Sequence, residues 1–496
     1  AYTNFTDEDA FITFRFAQQI ASGKGFVYNP GERIYGTTTP LFTLLMAAWL
    51  RLLTADVVTG ARILNILAAV GASAFVARAL HRSSASRSQQ LIVVALLAIS
   101  SKFWQMDTAG METPLVIFFM VASWYAYIRK RNLWTGVLCG LLLWTRIDLI
   151  LWPLTIVFFE LLSKPRSGVA VAFVTAITYA PWAIFATLYF GSPIPHTIIA
   201  KWVAYIEYGS HIEQVFFETP LSELRVQLSP LAVILHWLSP FEFPERFRAA
   251  GTALLWSTLI VVSWQSVKVF KRRRLALLPV FALLEIARLT ITKATVFHRY
   301  FVPPLWVVLL LLGMGIGALW DRLSESPGGW FLVAAVIVAF AVVGLLSGAL
   351  RAADFRQTQR IRHVGSLKAM GSWLKENSNS SATVQLEPLG YVGYYSGRWI
   401  YDEVGIVTPR VVALKRRGLR EQGDYVEDLK PDFVVVHCDD AMRELQSNSN
   451  PELSQLFGEY ERVAEFDPLD FKREQASRAS DADGLARSSC YEIWKR

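Results

Sequence analysis

Apolar runs approaching the ~20 residues that cross a bilayer as a helix recur through the first 350 positions. They read as Ile63–Leu80, Leu91–Met106, Pro114–Ile128, Leu133–Thr145, Leu149–Leu162, Val169–Phe190, Thr252–Phe270, Leu275–Ile291, Val302–Trp320 and Trp330–Leu350. Several are short for a span, which tilt and polar ends accommodate. Such a succession predicts a mainly α, polytopic membrane protein. With only 18% charged residues, the composition fits that class better than a soluble enzyme. A net charge of +8 would point to nucleic acid in a soluble chain. Here the basic residues form short clusters between apolar runs, as membrane topology requires, and no nucleic-acid-binding pattern accompanies them.

One further apolar stretch, Thr39–Leu53, decides the topology. If it lies in the interface, four basic loops fall on one side of the bilayer. They carry His81, Arg82 and Arg87; Arg129, Lys130 and Arg131; Lys164 and Arg166; and Lys271 to Arg274. By the positive-inside rule that side is cytoplasmic, and the acidic opening "NFTDEDAFITFRFA" lies outside. The first 350 residues are therefore expected to form a membrane domain with extracytoplasmic loops at 1–60 and 190–250. An acid-rich loop rarely opens a polytopic chain, so a further spanning helix is expected before Ala1.

After Leu350 the pattern changes. "ATVQLEPLGYVGYYS", "RWIYDEVG", "PDFVVVHCDD" and "CYEIWKR" read as short strands, and "HVGSLKAMGSWLKEN" as an amphipathic helix. This predicts a soluble α/β domain over 351–496, outside by the same parity. Cys438 and Cys490 would pair there if that side is outside the cytoplasm, whereas Cys139 reads as a small buried hydrophobe. Gly313, Gly315 and Gly317 read as close helix packing rather than a nucleotide loop.

Asp7, Glu8 and Asp9 open a helix expected over Phe11 to Ile20, with Thr6 as its cap. A helix start explains one or two acids. It does not explain the turn-rich "SGKGFVYNPGER" that follows, which predicts a helix lying over the membrane. Acids there suit a general base, or a metal ligand, acting on a lipid-carried substrate. Glu112 in "DTAGMETP" sits at the mouth of two spans, since Thr113 and Pro114 already account for the next helix start. Arg146 with Asp148 in "WTRID", His196 and Lys201 in "GSPIPHTIIAK", and His298 with Arg299 in "VFHRYF" lie at outer ends of spans. Cations there run against the topology rule, and a phosphate head group supplies the reason for them. His437 with Asp439 and Asp440 reads as a solvated strand end rather than a metal cluster.

Taken in order, "EDAFITFRFAQQIASGKGFVYNPGER", "AGMETP", "TRID", "YFGSPIPHTIIAK" and "FHRYFVPP" resemble the GT-C superfamily of membrane glycosyltransferases that use polyprenyl-phosphate sugars. Within it they are most similar to the AftB arabinofuranosyltransferases. The resemblance implies a GT-C-like helical bundle carrying Glu8 and Asp9 at the paired-acid position, with Asp7 as a third candidate base. It implies Glu112 in the same cavity, and Arg146, Lys201, His298 and Arg299 facing the lipid phosphate. The expected partners are a polyprenyl-phosphate sugar, membrane lipids and a glycan, lipid or protein acceptor. Some members use a divalent cation, so Mg or Mn on Glu8 and Asp9 stays open, as does which acid is the base. A flippase for lipid-linked sugars, or a non-catalytic carbohydrate-binding membrane protein, would share the spans and cations; the flippase would not need paired acids on an interfacial helix.

Overall fold

All ten apolar runs are helical in the computed structural model, which describes residues 3–53, 56–204, 248–292, 298–326, 328–420, 422–438, 458–467 and 489–496. Side chains at 248–254, 292, 298 and 332 lie outside that description, as do Asp439, Asp440 and most of the expected 190–250 loop. In chain order the membrane part comprises α1 (Glu8–Ala21), α2 (Pro40–Leu53), α3 (Val57–Arg82), α4 (Arg87–Ile99), α5 (Ser101–Thr108), α6 (Thr113–Ile128) and α7 (Asn132–Thr145). There follow α8 (Leu151–Ser163), α9 (Pro165–Phe190), α10 (His196–Trp202), α11 (Arg248–Phe270), α12 (Arg273–Thr292), α13 (Val302–Leu323) and α14 (Gly329–Thr358). By length and apolarity, α3, α9, α13 and the helix begun by α14 are long enough to cross a bilayer. The pair α4–α5, bent by 58° at Ser100, adds a fifth if counted as one span. This is a polytopic membrane protein. The α2 helix, 14 residues and about 21 Å long, stops short of the ~30 Å hydrocarbon core.

The basic loops gather at one end of the bundle. Arg272 donates to the carbonyl of Ser83 at 2.9 Å and Arg274 to that of Ile128 at 2.6 Å. At the other end of the 26-residue α3, Arg62 donates to the carbonyl of Phe5 (3.0 Å) and Asn65 to that of Met111 (2.8 Å). Some 21 residues of α3 separate Arg62 from Ser83, so the acids lie ~30 Å from the basic loops. The small residues of α13 do pack helices closely: Gly313 and Gly317 meet Val93 and Gln89 of α4, and Gly315 meets Val261 of α11.

Past Leu350 the helix does not stop. It runs through a π-helical segment, Gln359–Lys368, into α15 (Ala369–Asn377), so the expected domain boundary falls inside one continuous helix. Beyond it come β1 (Thr383–Leu386), α16 (Leu389–Ser396), β2 (Trp399–Asp402), α17 (Pro409–Arg416), α18 (Gln422–Leu429), β3 (Phe433–His437), β4 (Glu461–Phe466) and β5 (Tyr491–Lys495). The sheet order is β2-β1-β3-β5-β4, with β1 parallel to β2 and β3 and the β5 pairings antiparallel. Cys438 and Cys490 form a disulfide where β3 ends and β5 begins, and Cys139 is buried.

One expectation needs correction. "LGYVGYYS", read as strand, is helix α16, because Gly390 and Gly393 form one helical face that lies flat on α1. A Cβ on Gly390 would collide with the Glu8 carbonyl, and one on Gly393 with the Tyr28 hydroxyl. The helix α1 is itself packed between α2 and α16. Arg15, fully buried in α1, accounts for the polar break in that helix: its guanidinium bonds the carbonyls of Tyr28 (3.0 Å), Gly393 and Arg398. The soluble domain is thus keyed onto the membrane domain through α1.

Candidate active site

The cap of α1 is Asp7, not Thr6. Its Oδ1 accepts from the Asp9 N–H at 3.1 Å, while Thr6 is buried and its N–H donates to Gln359 of the π-helical segment at 3.0 Å. Placing the cap one residue later turns Glu8 and Asp9 to different partners. Glu8 accepts from the Gly390 N–H of α16. Asp9 is ion-paired with Arg299, which stands in a short 3-10 turn, His298–Tyr300, just before α13.

From that pair a charged line runs into the bundle. The Tyr300 ring lies between two guanidinium groups, 5.7 Å from that of Arg299 and 4.8 Å from that of Arg146. Arg146, 2% exposed, ends α7 in extended conformation, which turns its side chain back toward Asp148 (Nε to Oδ1 3.0 Å) and Glu112 (3.8 Å). Its buried Nη1 has no hydrogen-bond partner. Glu112 occupies the position before α6 without capping it, so its carboxylate is left to the cations. Lys201 of α10 is close enough to stabilise charge on Asp9.

The three acids differ electrostatically. Burial, then the neighbouring charge of Asp9, raises the Asp7 carboxyl to about 6. Burial likewise lifts Glu8 well above the ordinary carboxylate range. Burial opposes charge on Asp9 too, but Arg299 and Lys201 outweigh it, with a hydrogen bond from Glu8 helping, and hold that carboxyl below its usual value. One acid carries the charge and its neighbours favour the proton, the separation of roles expected of an acid–base site.

Asp7, Glu8, Asp9, Glu112, Arg146, Lys201 and Arg299 therefore converge. His298 has its backbone in the same turn, and its side chain lies outside the described residues. His196 goes elsewhere: its neighbours are Asp402, the Gly405 backbone and Arg416 of the soluble domain. Sequence reasoning missed Tyr300, although it follows Arg299 directly. It also missed Glu387 and Arg362 of the soluble domain, both within electrostatic reach of Glu8. For a metal, Glu8 and Asp9 fit poorly, since their carboxylates are committed to Gly390 and Arg299 and do not form an oxygen cage. Among the described residues the three-ligand grouping is Cys438, Glu465 and Cys490, whose sulfurs are spent in the disulfide.

Residues 352–494 match a family described as a domain of unknown function (DUF8728). Among curated proteins none matches the chain. Two crystal structures of ArnT from Cupriavidus metallidurans are similar in fold. The one bound to undecaprenyl phosphate superposes with a TM-score of 0.52 at 11% identity, over 90% of this chain and 92% of that one. The apo form gives 0.55 at 11% identity, over 90% and 91%. The fold of this chain, a bundle of membrane helices with a C-terminal α/β domain, is thus similar to that of ArnT.

Proposed function

We propose that a polytopic chain with this fold and this acid–guanidinium line is a membrane glycosyltransferase. It moves a sugar from a polyprenyl-phosphate donor to a hydroxyl acceptor at the outer face of the plasma (inner) membrane. The observation that carries the reading is the Asp9–Arg299 pair, continued by Tyr300 and Arg146, at the bundle end opposite the basic loops. The undecaprenyl phosphate bound by ArnT supports a polyprenyl phosphate as the lipid here. The disulfide supports an oxidising, extracytoplasmic setting for the soluble domain and the site beside it.

The chemistry follows from an exchange of partners. The donor phosphate competes with Asp9 for Arg299, with Lys201 and the unspent Nη1 of Arg146 sharing its charge. Losing Arg299 raises the proton affinity of Asp9, which makes it a better base when the donor is bound. Asp9 then takes the proton of the acceptor hydroxyl as that oxygen attacks the anomeric carbon. The bond from that carbon to the phosphate oxygen breaks, its electron pair leaves with the phosphate, and the anomeric centre inverts. Asp7 fixes the start of α1 and Glu8 tethers it to α16. No step is routed through a divalent cation.

The experiment is turnover of the full chain in proteoliposomes, with undecaprenyl-phosphate-linked pentoses and hexoses offered in parallel. A glycosidic product that is lost in Asp9→Asn and insensitive to chelator is expected. Movement of the lipid-linked sugar across the bilayer without a new glycosidic bond would make the chain a flippase. The AftB-like reading, which rests on motif order from Glu8 to Pro304, requires that an arabinofuranosyl donor outpace the hexosyl ones.

A further inference from the structure

The soluble sheet has a feature that the donor site does not use. From β1 the chain crosses through α16 to β2 on one side, then returns past β1 to β3 on the other. Open α/β sheets take ligands outside the carboxyl ends of their strands where the winding direction changes in this way. At that point, between β1 and β3, the sheet carries side chains of mixed chemistry. Glu387, exposed, follows the last residue of β1. His437 ends β3 and pairs with Tyr491 at the start of β5, their rings 5.2 Å apart and edge to face. Arg362 of the π-helical segment reaches Tyr491, and its buried Nε has no hydrogen-bond partner.

This edge faces the acids. Glu387 interacts electrostatically with Glu8 and Asp9, and also with Arg362 and His437. The Gly390 N–H on Glu8 holds the two surfaces together, at an approach that only a glycine there permits. We propose that the carboxyl edge of the soluble sheet is the acceptor subsite, where Glu387, Arg362, His437 and Tyr491 bind the hydroxyl groups of a neutral oligosaccharide beside Asp9.

The assignment rests on the glycosyl-transfer reading above, and the side chains select the ligand class. A sugar hydroxyl both donates and accepts, which matches a carboxylate acceptor set beside a guanidinium with an unspent N–H. An anionic acceptor would meet repulsion from Asp9, the acid of the three that carries the charge. An apolar one would strip water from Glu387 and Arg362 without replacing their hydrogen bonds. The ring of His437, packed edge to face with the buried Tyr491, gives the apolar face of a sugar ring a surface to rest on.

The test uses the full chain in detergent, with neutral tetrasaccharides of arabinose, galactose, mannose and glucose as acceptor probes and undecaprenyl phosphate as donor-side probe. At least one tetrasaccharide is expected to bind wild type. Glu387→Gln should weaken that binding about tenfold, the loss of roughly one charge-assisted contact, and His437→Ala should weaken it through the loss of its ring surface. Glu387→Asp should recover part, and undecaprenyl phosphate should bind all variants as it binds wild type. Unfolding midpoints close to wild type would show that the variants are folded; both positions are solvent-accessible. Equal tetrasaccharide binding by wild type and variants would place the acceptor elsewhere and overturn the proposal. So would failure of every tetrasaccharide on a wild type that binds undecaprenyl phosphate. Failure of undecaprenyl phosphate alone, with tetrasaccharide binding lost in the variants, would sink the donor assignment and leave the subsite standing.

Discussion

Asp9→Asn separates the proposed exchange of partners from a purely structural ion pair, because it moves two observables in opposite directions. In the structure Asp9 occupies Arg299, whose side chain is 11% exposed against 25% for the carboxylate. A charge-assisted hydrogen bond of this kind contributes roughly 1.5–3 kcal/mol when well shielded. Solvent access to Asp9 argues for the lower end, about 1.5 kcal/mol, which corresponds to roughly tenfold in affinity. A donor phosphate must overcome that competition. The amide of Asn neither charges nor competes comparably, so undecaprenyl phosphate should bind Asp9→Asn about tenfold more tightly than wild type, read by titration of the purified protein. Turnover should fall by roughly 100-fold or more, because the general base is gone. A merely structural pair gives neither result, since Asn keeps the size of Asp9 and the cap of α1 is Asp7, which accepts only the backbone N–H of position 9. Unchanged or weaker phosphate binding in Asp9→Asn would refute the competition, and with it the placement of the phosphate on Arg299.

Three further outcomes follow from the same geometry. Arg299→Ala should weaken undecaprenyl phosphate binding by roughly tenfold or more, and Arg299→Lys should restore only part, since a forked contact becomes a point charge; the same titration reads both. Asp7 has its carboxyl raised to about 6, so the folded protein binds its proton more tightly than the unfolded chain and this residue's contribution to stability falls as pH rises from about 4 to about 6. Asp7→Asn should remove that slope, so that its unfolding midpoint gains on wild type across this window and runs parallel above it; parallel curves throughout would contradict the assignment. Gly390→Ala should push α16 off Glu8, costing about 1–3 kcal/mol in unfolding stability and most of the turnover while undecaprenyl phosphate still binds; wild-type turnover in this variant would mean that the contact is incidental.

The membrane part was legible because burial in lipid imposes one rule, the apolar run, and each of the ten runs is a helix. Its motifs at Asp9, Glu112, Arg146, Lys201 and Arg299 were legible because a charge at the end of a span needs a reason. What the sequence hid was contact across long separation. Nothing local tells that Arg15 will bond the carbonyls of Gly393 and Arg398, or that Glu8 will meet Gly390. The glycine pair in "LGYVGYYS" held the signal, but its aromatic and β-branched residues favour strand, and only tertiary packing makes it a helix. The cap was misplaced by one residue because Thr6 and Asp7 are both good caps. The Thr6 hydroxyl that would cap accepts instead from Arg62 (3.1 Å), while Gln359 takes the Thr6 N–H. His196 lies apart from the acids because its backbone N–H bonds the Tyr35 carbonyl (2.8 Å) and its ring faces Asp402, the Gly405 backbone and Arg416 of the soluble domain.

The unbroken passage from α14 through the π-helical segment into α15 behaves as a rigid shaft with an angular index. In a regular helix each added or deleted residue turns everything beyond it by about 100° and shifts it by 1.5 Å. A one-residue change in the regular turns between the bilayer and Asn377 would therefore rotate the whole soluble sheet relative to α1, since the first loop, 378–382, comes only after α15. A stretch of i to i+5 winding is where such an error can be taken up, because its wider turns hold an extra residue without changing the setting beyond. Gln359 and His363 sit within it, bonded to each other at 3.1 Å, and Gln359 also bonds Thr6 and Tyr391. The wide turns thus lie where shaft, α1 and α16 meet, and the clearance between Glu8 and the sheet edge is set by counting residues along one helix.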